Sequence, residues 1–207
     1  MISILNYGLG NLASITNMLS KVGVESRIIS SPDEIRNSTS LILPGVGKFD
    51  HAMHQIDYLG IRTALDEAAK IKQIPILGIC LGMQLMTNGS EEGEIPGLGW
   101  IDAFTRKFDG QKFSIRIPHM GWNLIKQSKS NPCFDGDEFL ERRFYFVHSY
   151  AVECRDFNDI LTTSEYGGEF VSSFAKNNLV GAQFHPEKSH KFGASFLKRF
   201  AEGYCNA

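Results

Sequence analysis

The chain contains 207 residues, enough for one substantial hydrophobic core and short for two domains, with 43% hydrophobic and 21% charged residues. A formal net charge of −2 offers no basic field for nucleic acid, and no apolar run reaches the roughly 18 residues that cross a membrane. The N-terminus lacks signal-peptide features and the four cysteines form no C-x-x-C pair, so we predict a cytoplasmic protein without a disulfide framework or zinc site.

The first half of the chain alternates short apolar runs with amphipathic segments. Between the first two runs, apolar residues recur at helical spacing, with Asn11 as the N-cap and Gly23 at the end. A second helical region precedes the last of these runs. This alternation implies a parallel sheet with helices on both faces. The predicted strands cover residues 2–5, 24–30, 40–43 and 74–79.

The second half has short strand-like runs separated by polar or glycine-containing turns, which predict further, antiparallel strands. A helix over residues 189–204 ends the pattern, with phenylalanines at i, i+4 and i+8. We find no linker, repeat or low-complexity segment and therefore predict one domain, 1–207, of the α/β class. The predicted strands are 100–108, 121–125, 144–147, 160–164, 170–175 and 180–184.

A cysteine stands where the strand over residues 74–79 passes into helix-forming sequence. In Gly78-Ile79-Cys80-Leu81-Gly82 the small flanking residues allow neighbouring backbone to approach a side chain held at a sharp turn. The free N–H groups of a helix N-terminus favour a thiolate, and the N–H of Leu81 is placed to hold an oxyanion. The motif predicts a nucleophile, but a buried structural cysteine between two chance glycines fits the pentapeptide as well.

A histidine also follows an apolar strand, in the stretch 181–189. Pro186 biases His185 toward an extended conformation, in which residues i and i+2 face the same side, so Glu187 is placed to orient the imidazole. The alternative is a strand-end histidine beside a surface glutamate. Cys80, His185 and Glu187 together predict a nucleophile, a base and an orienting group.

Two glycine-rich turns follow predicted strands. Pro44-Gly45-Val46-Gly47 offers a second oxyanion donor or is a plain tight turn. Gly8-Leu9-Gly10-Asn11-Leu12-Ala13 matches the dinucleotide fingerprint, but Ser30 and Ser31 stand where that motif needs an acidic residue.

Other polar and aromatic residues have simpler explanations. His51 and His54 have helical spacing without an obvious third ligand, so we interpret them as a solvated helix face and predict no metal site. Trp122 and Tyr150, in aromatic-rich stretches, fit either core strands or an interface.

These motifs resemble the class I, or triad, glutamine amidotransferases. The resemblance rests on residues 78–84 with Phe184-His185-Pro186-Glu187, and it spans the chain from Asn6 to beyond Glu187. It narrows to the glutaminase subunits of imidazole glycerol phosphate synthases. The motifs that narrow it are 6–11, 44–47, 118–123 and 146–150.

The resemblance implies a flavodoxin-like fold and a glutaminase that forms a glutamyl thioester on Cys80. It implies no cofactor, and it implies a heterodimer in which ammonia passes to a cyclase subunit that makes imidazole glycerol phosphate in histidine biosynthesis. Leu81 and Val46 match oxyanion positions. The positions that match glutamine-binding residues are Gly47, Gln84 and Glu92, and those expected at the cyclase are Tyr7, Gly8, Gly10, Asn11, Trp122, Asn123, His148 and Tyr150.

Two alternatives remain at this stage. The same glutaminase chemistry could supply a synthase that aminates surface-polysaccharide sugars, because the acceptor binds the partner. From another class, a non-catalytic nucleotide-binding module could be built on residues 8–13.

Overall fold

The computed structural model describes residues 1–113, 115–136 and 139–205. The first half contains β1 (Ile2–Leu5), α1 (Leu12–Lys21), β2 (Ser26–Ile29), α2 (Pro32–Arg36), β3 (Leu41–Leu43), α3 (Phe49–Tyr58), α4 (Arg62–Asp66), a π-helical turn (Glu67–Ile71), β4 (Ile76–Ile79) and α5 (Leu81–Leu85). The second half contains β5 (Ala103–Lys107), α6 (Gly110–Phe113), β6 (His119–Gln127), β7 (Arg142–His148), β8 (Tyr150–Cys154), β9 (Ile160–Glu165), β10 (Glu169–Lys176), β11 (Leu179–Ala182) and α7 (His190–Tyr204).

The centre of the fold is a five-stranded parallel sheet in the order β2-β1-β3-β4-β11. This order is the flavodoxin-like 2-1-3-4-5 arrangement, in which ligands bind beyond the carboxyl ends of the strands. The predicted α/β class and its parallel core are confirmed. The last strand of the core comes from the far end of the chain, so β4 lies between an early strand and a late one.

Helices cover both faces of this core because successive strand residues point to opposite sides. Leu77 and Ile79 pack in the cluster that contains α1 and α7, whereas Ile76 packs in the cluster that contains α3 and α4. In α7, the predicted apolar face is present, with Phe196 and Phe200 fully buried. Within the described ranges, no helix combines the length and the apolar character needed to cross a bilayer.

The second half extends the sheet with antiparallel strands, as predicted. β10 pairs with β11, and β9, β6 and β7 continue outward in that order. β5 and β8 form a further antiparallel pair beside β10. The sequence pattern did not predict β8, because only Ser149 separates it from β7 and no glycine or proline marks the change of partner strand.

Candidate active site

The ends of β4 and β11 place the two strongest sequence motifs side by side. Ile79 is level with Ala182 across the parallel pair, and the N–H of Cys80 donates to the carbonyl of Ala182 at 2.7 Å. Cys80 leaves one strand and His185 follows the other at the same edge of the sheet. The expectation that both residues follow strand ends is confirmed.

Cys80 has an unusual backbone conformation, with φ 53° and ψ −109°, and it is the N-cap of α5. A Cβ on Gly82 would lie 1.9 Å from the carbonyl oxygen of Leu43, and one on Gly78 would lie 2.8 Å from the backbone of Gly82. Both flanking glycines are therefore required by close packing. Because packing from neighbouring strands holds it in a left-handed conformation, the Cys80 side chain is fixed at the turn.

His185 and Glu187 form a buried pair. His185 Nδ1 lies 2.8 Å from Glu187 Oε1, and the two side chains are almost inaccessible to solvent. His185 itself is extended, as predicted, but Glu187 reaches the ring through a 3₁₀ turn that begins at Pro186 rather than through extended chain. Burial lowers the pKa of His185, but interactions with Cys80 and then with Glu187 outweigh it and raise the pKa to about 10. The raised pKa favours the imidazolium form of His185, whose Nδ1 contacts Glu187 and whose Nε2 is buried without a hydrogen-bond partner among the described residues.

A cavity of about 320 Å³ opens beside this pair. It contains the predicted nucleophile and base together with both predicted oxyanion residues and all three predicted substrate-binding residues. Its lining consists of Val46, Gly47, Cys80, Leu81, Gln84, Glu92, Pro118, Val147, His148, Ser149, Tyr150 and His185.

The loop after β3 forms one wall of this cavity. The Tyr7 hydroxyl donates to the carbonyl of Pro44 at 2.6 Å, and a Cβ on Gly45 would lie 2.9 Å from the Gly82 nitrogen. The loop is thus held against the start of α5. Among the described residues, the N–H groups of Val46 and Leu81 enter no hydrogen bond, so both remain free to bind an anionic oxygen.

Two of the predicted substrate-binding side chains are already partly engaged. Gln84 Nε2 donates to the carbonyl of Tyr150 at 3.2 Å and to Gln183 Oε1 at 3.0 Å. Glu92 Oε2 accepts from the N–H of Phe49 at 3.0 Å and so caps α3, where Lys48 gives no side-chain cap. Gln84 and Glu92 therefore hold two walls of the cavity together.

The residues expected at a partner lie in different environments. Gly8, Asn11 and Trp122 are exposed, the last with 47% of its surface accessible, while Gly10 and Asn123 are half-buried. Trp122 stacks on His190 with ring centroids 5.3 Å apart. These five residues are hereafter the β1–β6 surface.

Tyr7 and His148, which are also predicted at the interface, are buried in the isolated chain. Tyr7 is 1% exposed, because its ring fills the space beneath the Pro44 loop, and His148 is 6% exposed, because it faces inward from β7. Tyr150 is half-buried and lines the cavity rather than the β1–β6 surface. These three side chains therefore contribute to the structure of the site, and their place at an interface stays a prediction.

Sequence reasoning missed Gln183 and His119. Gln183 is fully buried and its Nε2 lies 3.7 Å from Cys80 Sγ, while His119 Nδ1 lies 3.0 Å from His148 Nε2. An amide in an otherwise apolar strand end was a usable signal for Gln183. The histidine pair depends on the register that places His119 opposite His148, which no local motif predicts.

The two buried histidines should make the fold acid-sensitive. Burial lowers the pKa of His119 to about 4 and, as the largest of several causes, that of His148 to about 3. Below the unfolded value of about 6.5, the unfolded chain binds protons that the folded chain does not, so stability falls as pH falls. Between pH 7.5 and 5 we expect a loss of about 1–2 kcal/mol for each histidine.

Urea unfolding at both pH values measures this loss. His119→Asn removes one of the titrating groups and should lose less stability over the interval than the wild type. Exposed His54 provides the control, since His54→Asn should follow the wild type. An equal pH dependence in all three proteins would contradict the prediction.

The remaining motifs carry no comparable geometry. The turn from residue 8 lies between β1 and α1, as a dinucleotide site requires, and the Asn11 side chain accepts from the N–H of Ser14 at 3.3 Å. However, Ser31 and Glu34 form the capping box of α2 where an acidic ribose ligand would stand. His51 and His54 are exposed on α3, and the described residues contain no group of three metal-ligating side chains.

Comparison with known proteins agrees with this site. The family description "Glutamine amidotransferase class-I" matches residues 3–203. The chain is 50% identical to "Imidazole glycerol phosphate synthase subunit HisH 2" of Methanococcus maripaludis, over 97% of this chain and 98% of that protein. It is 44% identical to the protein of the same name from Pseudomonas aeruginosa, over 98% and 99% of the two chains.

Solved structures agree on the fold. A crystal structure entitled "glutamine amidotransferase" superposes with a TM-score of 0.74 at 15% identity, covering 100% of this chain and 99% of that one. PurLQS from Thermotoga maritima gives 0.73 at 17% identity, covering 99% and 97%. Because the family match spans nearly the whole sequence and the relatives match along their full length, this chain belongs to the class I glutamine amidotransferases, among the HisH subunits.

Proposed function

We propose that this chain is the glutaminase subunit of an imidazole glycerol phosphate synthase in histidine biosynthesis. The observation that carries the proposal is the buried set Cys80, His185 and Glu187 beside a cavity whose lining includes free backbone N–H groups. The names of the full-length relatives support the pathway. The proposal includes a single domain, since one sheet runs through both halves of the chain.

In the proposed reaction, Cys80 Sγ attacks the side-chain amide carbon of glutamine and forms a C–S bond. The carbonyl oxygen becomes an oxyanion that accepts hydrogen bonds from the N–H groups of Leu81 and Val46. His185 then donates a proton to the amide nitrogen, and the C–N bond breaks to release ammonia. A water that gives its proton to His185 hydrolyses the thioester, which returns Cys80 and releases glutamate.

Ammonia released into water would be protonated or lost, so the site should open onto a partner. We propose that the β1–β6 surface binds the cyclase subunit in a heterodimer. Outward-pointing residues of β6 support this, since Met120, Trp122 and Leu124 leave at least 40% of each side chain exposed along one strand. A cytoplasmic location belongs to the same proposal, because a reducing compartment keeps the thiol usable.

Glutamate release from glutamine, measured with and without the cyclase, tests the function. We expect release that depends on Cys80 and formation of imidazole glycerol phosphate when the cyclase and its phosphoribosyl substrate are present. Glutaminase activity that supports only the amination of a surface-polysaccharide sugar by another synthase would refute the assignment to histidine biosynthesis. Nucleotide binding without glutamate release would overturn the enzyme assignment.

Truncation of Trp122 should weaken partner binding. Trp122→Ala removes an exposed aromatic anchor of the kind that often contributes about 2 kcal/mol or more, so we expect at least about tenfold weaker cyclase binding. The isolated fold should persist, because the described side-chain ring contacts of Trp122 are with Tyr145 and His190 at the surface.

Titration calorimetry against the cyclase measures this affinity. Tyr58→Ala is the matched control, since Tyr58 is an exposed aromatic at the end of α3, away from the carboxyl edge of the sheet. Wild-type affinity in Trp122→Ala would remove Trp122 from the interface.

A further inference from the structure

A continuous line of hydrogen bonds leads from β6 to the sulfur of Cys80. It begins where Asn123 Nδ2 lies 3.3 Å from His119 Nε2, and it passes from His119 Nδ1 to His148 Nε2 at 3.0 Å. His148 Nδ1 then lies 2.7 Å from the carbonyl oxygen of Tyr150. The same carbonyl is the acceptor for Gln84 Nε2, so it joins the histidine pair to the amides beside the thiol.

Backbone groups fix the direction of every bond in this line. A carbonyl oxygen only accepts, so the Tyr150 carbonyl requires an N–H on His148 Nδ1 and the amino group of Gln84 toward it. Gln84 Nε2 must then donate its second N–H to Gln183 Oε1, which lies 3.0 Å away. Because the oxygen of Gln183 faces Gln84, its amino group faces Cys80 Sγ, with Nε2 3.7 Å from the sulfur.

The other end is fixed in the same way. Asn123 Nδ2 donates to the carbonyl of Glu165 at 2.8 Å, and Asn123 Oδ1 accepts from the N–H of Leu124 at 2.8 Å. The amide nitrogen therefore faces His119 Nε2, which must accept. His119 and His148 each have one donor and one acceptor role, so both are neutral and both carry the proton on Nδ1. Their lowered pKa values agree with this.

We propose that this hydrogen-bond network positions Gln183 so that it presents an N–H, and never its carbonyl oxygen, to the sulfur of Cys80. Gln183, Gln84 and the two histidines are then positioning residues for the proposed glutaminase reaction, on which this inference rests. A donor beside the sulfur stabilises the thiolate, whereas an amide oxygen in the same place would repel it. Since Gln183 is fully buried, water cannot substitute for it.

Replacement of the N–H donor at residue 183 by an acceptor tests the proposed network. In Gln183→Glu the carboxylate still accepts from Gln84 but offers Cys80 only oxygen. We expect iodoacetamide to alkylate Cys80 up to about tenfold more slowly at pH 7, and the pH profile of the rate to move toward higher pH. The other titratable groups that line the cavity, namely Glu92, His148, Tyr150 and His185, are unchanged in this variant.

Gln73→Glu is the matched control. It introduces the same charge at an exposed position before β4, at the opposite end of the strand from Cys80, and should alkylate as the wild type does. Mass-spectrometric mapping follows the Cys80 peptide separately from the other three cysteines. An unchanged rate and pH profile in Gln183→Glu would overturn the proposal.

Nitrogen chemical shifts of the imidazoles give a second measurement that needs no variant. In wild-type protein at pH 7, we expect His119 and His148 to be neutral with the proton on Nδ1. A proton on Nε2 in either ring, or an imidazolium, would refute the proposed hydrogen-bond network. Labelling by 6-diazo-5-oxo-L-norleucine, a glutamine analogue, tests the glutaminase function separately. A wild-type protein that iodoacetamide alkylates but this analogue does not would refute that function. The histidine tautomers would still test the hydrogen-bond network.

Discussion

Replacement of Cys80 by serine is expected to lower glutaminase turnover at least about 10⁴-fold, the scale of losses when a nucleophile is removed from a catalytic triad. A hydroxyl ionises far less readily than a thiol and is the weaker nucleophile at neutral pH. The change is nearly isosteric, and Gly78 and Gly82 hold the turn, so the melting temperature should change little. Steady-state glutamate release and thermal unfolding of the same preparation measure both effects.

Selective labelling provides the companion result. A glutamine-like alkylating agent should modify Cys80 and spare the other cysteines. Burial raises the pKa of all three of those thiols, that of Cys154 to about 12, so they remain protonated at neutral pH. Peptide mapping that finds the label on Cys133, Cys154 or Cys205 would refute the assignment of the nucleophile.

His185 and Glu187 should contribute unequally to turnover. His185→Asn removes the group that transfers the proton and should cost about 10²–10⁴-fold in kcat. Glu187→Gln should cost less, because the amide oxygen can still accept from His185 Nδ1 although it no longer stabilises the imidazolium charge.

The comparison requires both variants at matched stability. Glu187 Oε2 is buried and has no hydrogen-bond partner among the described residues, so a glutamine amino group there would be unpaired and would destabilise the fold. Measurements well below the melting temperature of each variant separate that effect from catalysis. An equal or larger loss in Glu187→Gln would reverse the proposed roles.

Local patterns were sufficient to predict the parallel core and to identify Cys80, His185 and Glu187 as the candidate triad. Alternation of strands and helices identified the α/β class, and the glycines around Cys80 indicated the close packing that the structure shows against Leu43. Pro186 begins the 3₁₀ turn that carries Glu187, although β11 already ends at Ala182. In each case the signal lies in a short stretch of sequence, even where the contact it reflects is with a distant residue, as with Gly82 and Leu43.

The missing parts depend on contacts between distant residues. The pairing of His119 with His148 follows from the register of β6 and β7, and the contact of Gln183 with Cys80 follows from the insertion of β11 beside β4. Tyr7 resembled a surface turn residue because nothing local shows that the loop after β3 covers it. Residue spacing alone does not encode such neighbours.

The position of β11 has a consequence for the newly made protein. β4 acquires its second neighbour only when β11 has left the ribosome, and His185 follows Cys80 by 185 − 80 = 105 residues. At about 5–20 residues per second, the thiol therefore waits about 5–20 s for its histidine. During that time β4 is an unpaired edge, so a nascent chain or a product of premature termination has no competent site and exposes an aggregation-prone strand. The site can therefore form only after β11 has been synthesised and has paired with β4.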